Sequence, residues 1–182
     1  ALRECLGSEF PLMVDANMRW TADTAEQAAR ALAPMSLFWL EEPTIPDDVE
    51  GHARVARVGG IPIASGANLD SVYEFEELIK RGGVTYPEPD AATLGGITPW
   101  LKVAGLAESS GLQVTSHGVH DIHVHLLAAV SNPSYLEVHG FGLERFIAEP
   151  LVLEDGVALA PEREGHGVSL DFAALAPYRV SN

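Results

Sequence analysis

The sequence predicts a parallel βα-repeat fold: a (β/α)8 TIM-type barrel, α/β in class, of which about strands 3 to 8 are present. Three observations carry this expectation. Short apolar runs alternate with helix-like segments of about ten residues, the pattern of strands joined by crossover helices. The runs end at Asp15, Glu41, Ala67, Asp90, His117 and Glu137, spaced 26, 26, 23, 27 and 20 residues apart, and a period of this size marks a repeat architecture. The endings are chemically capable side chains on different strands, which suits a barrel whose working residues gather at one rim. A doubly wound sheet is the alternative, but it gathers polar ends near one switch point.

The elements follow in order. A-L-R-E-C-L-G reads as the last turn of a helix stopped by Gly7. Pro11 to Asp15 is a strand, and Thr21 caps an Ala-rich helix that ends before Pro34. Ser36 to Glu41 is the second strand, followed by a helix over D-D-V-E-G-H-A-R-V-A-R-V that stops at Gly59-Gly60. Strand Ile61 to Ser65 precedes helix Ser71 to Arg81, and strand Val84 to Glu88 precedes helix Thr98 to Ser110. Gln113 to Ser116 is a strand, Ile122 to Val130 a helix and Tyr135 to Glu137 the last strand. Beyond that the beat loosens, and L-V-L-E-D-G-V-A-L-A-P has a strand–turn–strand look around Asp155-Gly156. The expected division is a partial barrel over 1–145 and a C-terminal segment over 146–182 that packs on the barrel or on a capping domain. With no Met at its start and six strands for eight, the chain is expected to be part of something longer.

Composition narrows the function. The 182 residues, 47% of them hydrophobic, can bury one substantial core. A formal charge of −15 argues against nucleic acid or an anionic membrane as partner, since both need a basic patch. Cys5 is the single cysteine, which excludes a disulfide framework and a cysteine metal site. No apolar run approaches the roughly 20 residues of a membrane span. A cytoplasmic protein whose carboxylates hold a cation is the expectation.

Asp15 and Glu41, at the ends of neighbouring strands, are hard oxygen ligands of the kind Mg²⁺ accepts. Asp90 and His117 are placed for a carboxylate to bond one imidazole nitrogen, which fixes the tautomer and raises the basicity of the other. Glu137 is a third group, able to donate a proton or hydrogen bond. Taken alone, an aspartate at a strand end is most often a cap or turn former, and a histidine in a βα loop most often lies on the surface. One such residue per unit, at steady spacing, favours a site. The run H-G-V-H-D-I-H-V-H suggests a rival, a zinc-dependent barrel hydrolase. However, His123 and His125 splay apart on a helix, so packing and capping roles are expected for His120, His123 and His125. Glu42 should point away from Glu41 as an outer partner, and Glu88 should lean toward the site or sit in a turn. Asn17 and Asn68 are expected to touch substrate or cap helices. Trp20, Trp39 and Trp100 read as packing.

The ordered set V-D-A-N, E-E-P-T, P-D-A-A-T-L-G-G-I-T-P-W, S-H-G and Y-L-E resembles the mandelate racemase group of the enolase superfamily, over about residues 8 to 150. Single motifs are weak; the ordered set is specific. The resemblance implies Mg²⁺ as cofactor, with Asp15 and Glu41 as its first two ligands. It implies an Asp90–His117 dyad as base or acid, and Glu137 hydrogen-bonding the developing enediolate. In P-I-A-S-G-A-N the family has a glutamate where Ala67 stands, so the third ligand position is a methyl group here, and a glutamate restored there should tighten Mg²⁺. A base-bearing Lys-x-Lys strand and a capping domain, both features of the family, fall before residue 1; Lys80 and Lys102 lie in helices and are no substitutes.

The implied partner is a small carboxylate, an acid sugar. The wording P-T-I-P-D-D-V-E-G-H and P-E-P-D looks closest to acid-sugar dehydratases. Dehydration is therefore the first expectation and racemisation or epimerisation of a 2-hydroxy acid the second. A third, from another class, is a catalytically silent partial barrel acting through association: unpaired strand edges invite a homo-oligomer or docking with the missing barrel segment.

Overall fold

A computed structural model describes residues 1–139 and 142–180 of the chain; the last two positions of the expected C-terminal segment lie outside the described residues. Helix α1 (Leu2–Leu6) ends at Gly7, whose φ of 81° is open to glycine at no steric cost. Strand β1 (Met13–Asp15) leads to α2 (Ala22–Leu32), where the Thr21 hydroxyl accepts from the Thr24 N–H. β2 (Trp39–Glu41) leads to α3 (Val49–Gly59), capped by Asp48. β3 (Ile63–Ser65) leads to α4 (Val72–Lys80), whose start is a full capping box between Ser71 and Glu74. β4 (Tyr86–Pro87) leads to α5 (Ile97–Ser109), and α6 (His120–Ala129) follows.

The four strands form one parallel sheet in the order β1-β2-β3-β4. Asp15 stands opposite Glu41, Glu41 opposite Ala64, and Ser65 opposite Pro87. This level register is why residues far apart in sequence finish at one rim. The expected fifth and sixth strands are reduced to a single parallel bridge, Val114 with Pro133. Their ladder is still partly made: the Thr115 N–H donates to the Pro87 carbonyl at 2.9 Å, and the Ser134 N–H to the Val114 carbonyl at 2.8 Å. Proline has no N–H to give, so Pro133 and Pro87 interrupt the run where regular pairing would continue.

Two apolar clusters lie between sheet and helices. One gathers Ala25, Ala29, Leu40, Val55 and Ile63 from α2, α3, β2 and β3. The other gathers Phe75, Leu78, Trp100, Val103, Val114 and Leu126 from α4, α5, α6 and their neighbours. Helices α2 and α3 meet closely because Gly59 lacks a side chain: a Cβ there would stand 2.6 Å from that of Ala29. After the barrel segment, β5 (Val152–Glu154) and β6 (Val157–Leu159) form an antiparallel hairpin. Its turn residues Asp155 and Gly156 both have positive φ, as a two-residue turn of this hand requires. The chain then returns past Phe146, bridging Ile147 to Leu170, and forms α7 (Phe172–Leu175) followed by a 3-10 turn over Ala176–Tyr178. No described helix is long and apolar enough to cross a membrane.

Candidate active site

Asp15, Glu41, Glu42, Glu88 and Glu137 lie near enough at the carboxyl rim of the sheet for their charges to act on one another, although among the described residues no three of Asp15, Glu41, Glu42 and Glu88 bring oxygens within 4.8 Å of one another. Asp15, on the outer strand β1, is exposed, and its Oδ1 accepts from the Asn17 N–H at 2.6 Å. Asn17 thus meets Asp15 through its main chain, with φ of 47°, and its side chain is solvent-facing. Glu41 Oε2 accepts from the indole Nε1–H of Trp39 at 2.9 Å. Burial, then the charge of Asp15, pushes the Glu41 carboxyl up to about 7, although the Trp39 bond pulls it down.

Glu42 departs from expectation. The strand ends at Glu41, and a φ of 36° at Glu42 turns the next side chain inward rather than to the opposite face. It is 5% exposed, accepts from Asn68 Nδ2 at 3.2 Å, and its charge is felt by Glu41 and Glu88. Burial raises its carboxyl above the ordinary range. Glu88 does lean toward the site. It is 1% exposed, and its Oε2 has no hydrogen-bond partner. Burial, followed by the charges of Glu41, Glu137, Glu42 and Asp15, raises it well above the usual carboxylate range. Ala67, two residues beyond the end of β3, is 2% exposed.

Next to the acids lies a bonded pair. His117 Nδ1 is 2.9 Å from Asp90 Oδ2, and the Ala92 N–H donates to Asp90 Oδ1 at 2.6 Å. Burial alone would raise Asp90, but these two bonds and the His117 charge hold it below its ordinary value. For His117 the Asp90 bond is the largest influence and raises its pKa against the opposing effect of burial. The turn that presents Asp90 is clamped from behind. Trp100 Nε1–H donates to the Pro89 carbonyl at 2.9 Å, and the Ala91 N–H donates to His123 Nε2 at 3.0 Å. Gly118 closes the corner with φ of 70°; a Cβ there would come within 2.5 Å of Asp90 Oδ2.

Glu137 Oε2 accepts from the Gly118 N–H at 3.0 Å and lies 2.8 Å from His139 Nε2. The His139 ring stands edge-on to His117 with centroids 5.1 Å apart. His117, Glu137 and His139 offer ligand atoms within 4.8 Å of one another, a group of the kind that could take a borderline metal ion such as zinc. His120, His123 and His125 do not assemble. His123 is buried against Trp100, and His120 is 3.5 Å from Asp121.

The donor chemistry fits a hard cation on the acid side. Asp15, Glu41, Glu42 and Glu88 offer oxygen only, and a buried carboxylate oxygen without a donor is costly unless the group holds a proton or a positive charge faces it. A cavity of about 540 Å³ opens on the other side of His117 and Asp90, walled by Val119, Ile122, Phe146, Ile147 and Leu170. Its walls are apolar, and none of Asp15, Glu41 or Glu88 lines it.

The model of the family described as enolase C-terminal domain-like matches residues 1–174. The chain belongs to that family. Among its relatives, the 3,6-anhydro-α-L-galactonate cycloisomerase of Streptomyces coelicolor is 56% identical over 180 residues, covering 99% of this chain and 50% of that protein. The crystal structure of a racemase from Streptomyces coelicolor with bound magnesium superposes with a TM-score of 0.92 at 53% identity, covering 97% of this chain and 48% of that one. The L-talarate dehydratase of Polaromonas sp. JS666, complexed with Mg and L-glucarate, superposes at 0.88 with 41% identity, covering 96% and 47%. The chain spans about half the length of the relatives it matches.

The fold is therefore a portion of the (β/α)8 barrel of this enolase-type domain. Sequence reasoning missed three residues in it. His139 sits two after Glu137, on the same face of an extended segment, and that alternation was the available signal. Trp39 relates to Glu41 in the same way, yet it read as packing because an indole N–H contact has no sequence signature. The inward turn of Glu42 depends on a backbone angle that a Glu-Glu-Pro triplet does not announce.

Proposed function

We propose that this barrel binds Mg²⁺ and an acid sugar, and removes the proton α to the sugar's carboxylate with loss of an oxygen substituent from the β carbon. The His117–Asp90 bond of 2.9 Å, beside a convergence of carboxylates at the same rim, is the observation that carries this reading. Asp15 and Glu41 are its metal ligands. When bound there, Mg²⁺ supplies the positive charge toward which the substrate carboxylate draws electron density. His117, bonded at Nδ1, presents Nε2 as the proton-carrying atom. Its raised basicity lets it take the α proton and pass the same proton to the departing oxygen, so that the C–H and C–O bonds break with one carrier. Glu137, bonded to the Gly118 N–H and close to His139, hydrogen-bonds the substrate carboxylate as charge builds on it.

With a free hydroxyl on the β carbon the reaction is dehydration, the reaction named for the Polaromonas relative. A second reading rests on the cycloisomerase relative. In a 3,6-anhydro sugar acid the β carbon carries the ring oxygen, so the same elimination opens the ring and releases no water. Racemisation, the activity in the name of the Streptomyces coelicolor structure, needs a second proton carrier on the opposite face of the substrate. The lysines of this chain lie elsewhere: Lys80 is 63% exposed on α4 and paired with Glu76, and Lys102 is exposed on α5. The test is a screen of acid sugars and anhydro sugar acids with Mg²⁺ in D₂O, reading α-proton exchange by NMR and 2-keto acid formation. Product that depends on Mg²⁺ and on His117 is expected. Turnover that survives both EDTA and His117→Asn would contradict the proposal.

A further inference from the structure

We propose that Glu88 supplies a carboxylate ligand to the cation site, from the strand beside the one that ends at Ala67; this rests on the Mg²⁺ reading above. Three observations point there. Glu88 is 1% exposed, and Oε2 has no partner among the described residues. Buried acids are almost always bonded or paired, and an exception calls for an ion or another donor. Second, the charges that act most strongly on Glu88 are those of Glu41, Glu137, Glu42 and Asp15, all acids, so this end of the sheet favours a cation beside it. Third, the register delivers it to the right place. Ser65 stands opposite Pro87, and the Glu88 N–H donates to the Ser65 carbonyl at 3.0 Å, so Glu88 leaves β4 level with the end of β3.

Ala67, two residues past Ser65 at the same rim, is 2% exposed and ends in a methyl group that can coordinate nothing. A carboxylate missing from one strand end is thereby offered by the next strand. Mg²⁺ accepts such an exchange readily, because it asks for oxygen at the right distance and tolerates a mixture of carboxylates and water. Glu42 is a weaker candidate for the same place, since both of its oxygens already accept from Asn68.

The experiment measures metal binding, not turnover. Mg²⁺ affinity is determined by titration calorimetry, and bound Mn²⁺ by EPR, for the parent chain, Glu88→Gln, Glu88→Asp, Asp15→Asn, Glu41→Gln, and Ala67→Glu alone and combined with Glu88→Gln. Glu88→Gln is expected to weaken Mg²⁺ at least tenfold while leaving the urea midpoint in EDTA unchanged or higher. Glu88→Asp, which keeps the charge on a shorter arm, should lose affinity with the fold intact. Adding Ala67→Glu to Glu88→Gln should restore affinity to within about threefold of the parent, a larger gain than Ala67→Glu brings alone. If Asp15→Asn and Glu41→Gln lose tenfold or more while both Glu88 variants stay within twofold of the parent, the assignment of Glu88 is wrong and the cation site stands. If Asp15→Asn and Glu41→Gln also bind like the parent, or the parent binds no Mg²⁺, the metal reading itself fails and this inference with it.

Discussion

Replacing Glu41 by glutamine should make the metal-free chain more stable and its Mg²⁺-dependent gain smaller. Burial and Asp15 lift the Glu41 carboxyl from 4.5 to about 7 in the folded chain. Once unfolded, the side chain ionises near 4.5, so below that pH both states hold the proton and the group contributes nothing. As pH rises from 4.5 toward 7 the unfolded state releases its proton first, stability falls, and the loss levels off above 7. At about 1.4 kcal/mol for each tenfold change in proton affinity, the loss reaches about 3 kcal/mol. Glu41→Gln keeps an oxygen to accept from Trp39 and removes the ionisation. Urea unfolding in EDTA, followed by tryptophan fluorescence, should show the variant about 3 kcal/mol more stable at pH 8 and nearly equal at pH 4. With Mg²⁺ at pH 8 the parent should recover that difference and the variant should not. A variant with the parent's pH slope and the parent's Mg²⁺ response would refute the claim that Glu41 is a buried, cation-facing carboxylate.

Other outcomes follow from the same geometry. His117→Asn should lower turnover by at least about a thousandfold while Mg²⁺ affinity stays within threefold, read by steady-state kinetics and calorimetry. Asp90→Asn removes the negative charge that strengthens the bond to His117, so the imidazole pKa, followed by NMR, should fall toward its ordinary value. In the parent, the stabilisation from that raised pKa is present below 6.5 and fades as pH rises through the folded value; in Asp90→Asn this part of the pH dependence should disappear. Trp39→Phe deletes the donor to Glu41 and should cost about 1–3 kcal/mol, measured by urea unfolding, with Mg²⁺ binding retained.

Much of the fold was legible because each unit carries its own punctuation. Thr21, Asp48 and Ser71 cap helices where the sequence placed them, and Asp155-Gly156 turns the hairpin. The parallel register could be anticipated from the spacing, since a steady period leaves strand ends level. Pairing at 113–116 and 135–137 was overestimated because an apolar run says nothing about whether the partner strand can donate; Pro87 and Pro133 cannot, and the bridge that forms falls at Val114 and Pro133. At the site, the Asp90–His117 contact was foreseeable from strand adjacency. The inward turn of Glu42 and the isolation of Glu88 Oε2 were not, because each depends on a backbone angle or on what surrounds a side chain in three dimensions.

The central claim is that carboxylates from separate strands surround one cation at the rim that also carries His117. Anomalous diffraction from crystals of the chain grown with Mn²⁺ tests it most directly. The account predicts one strong peak touching oxygens of Asp15, Glu41 and Glu88, with His117 Nε2 free to face substrate. A peak held instead by His117, Glu137 and His139, with the acids unligated, would contradict it.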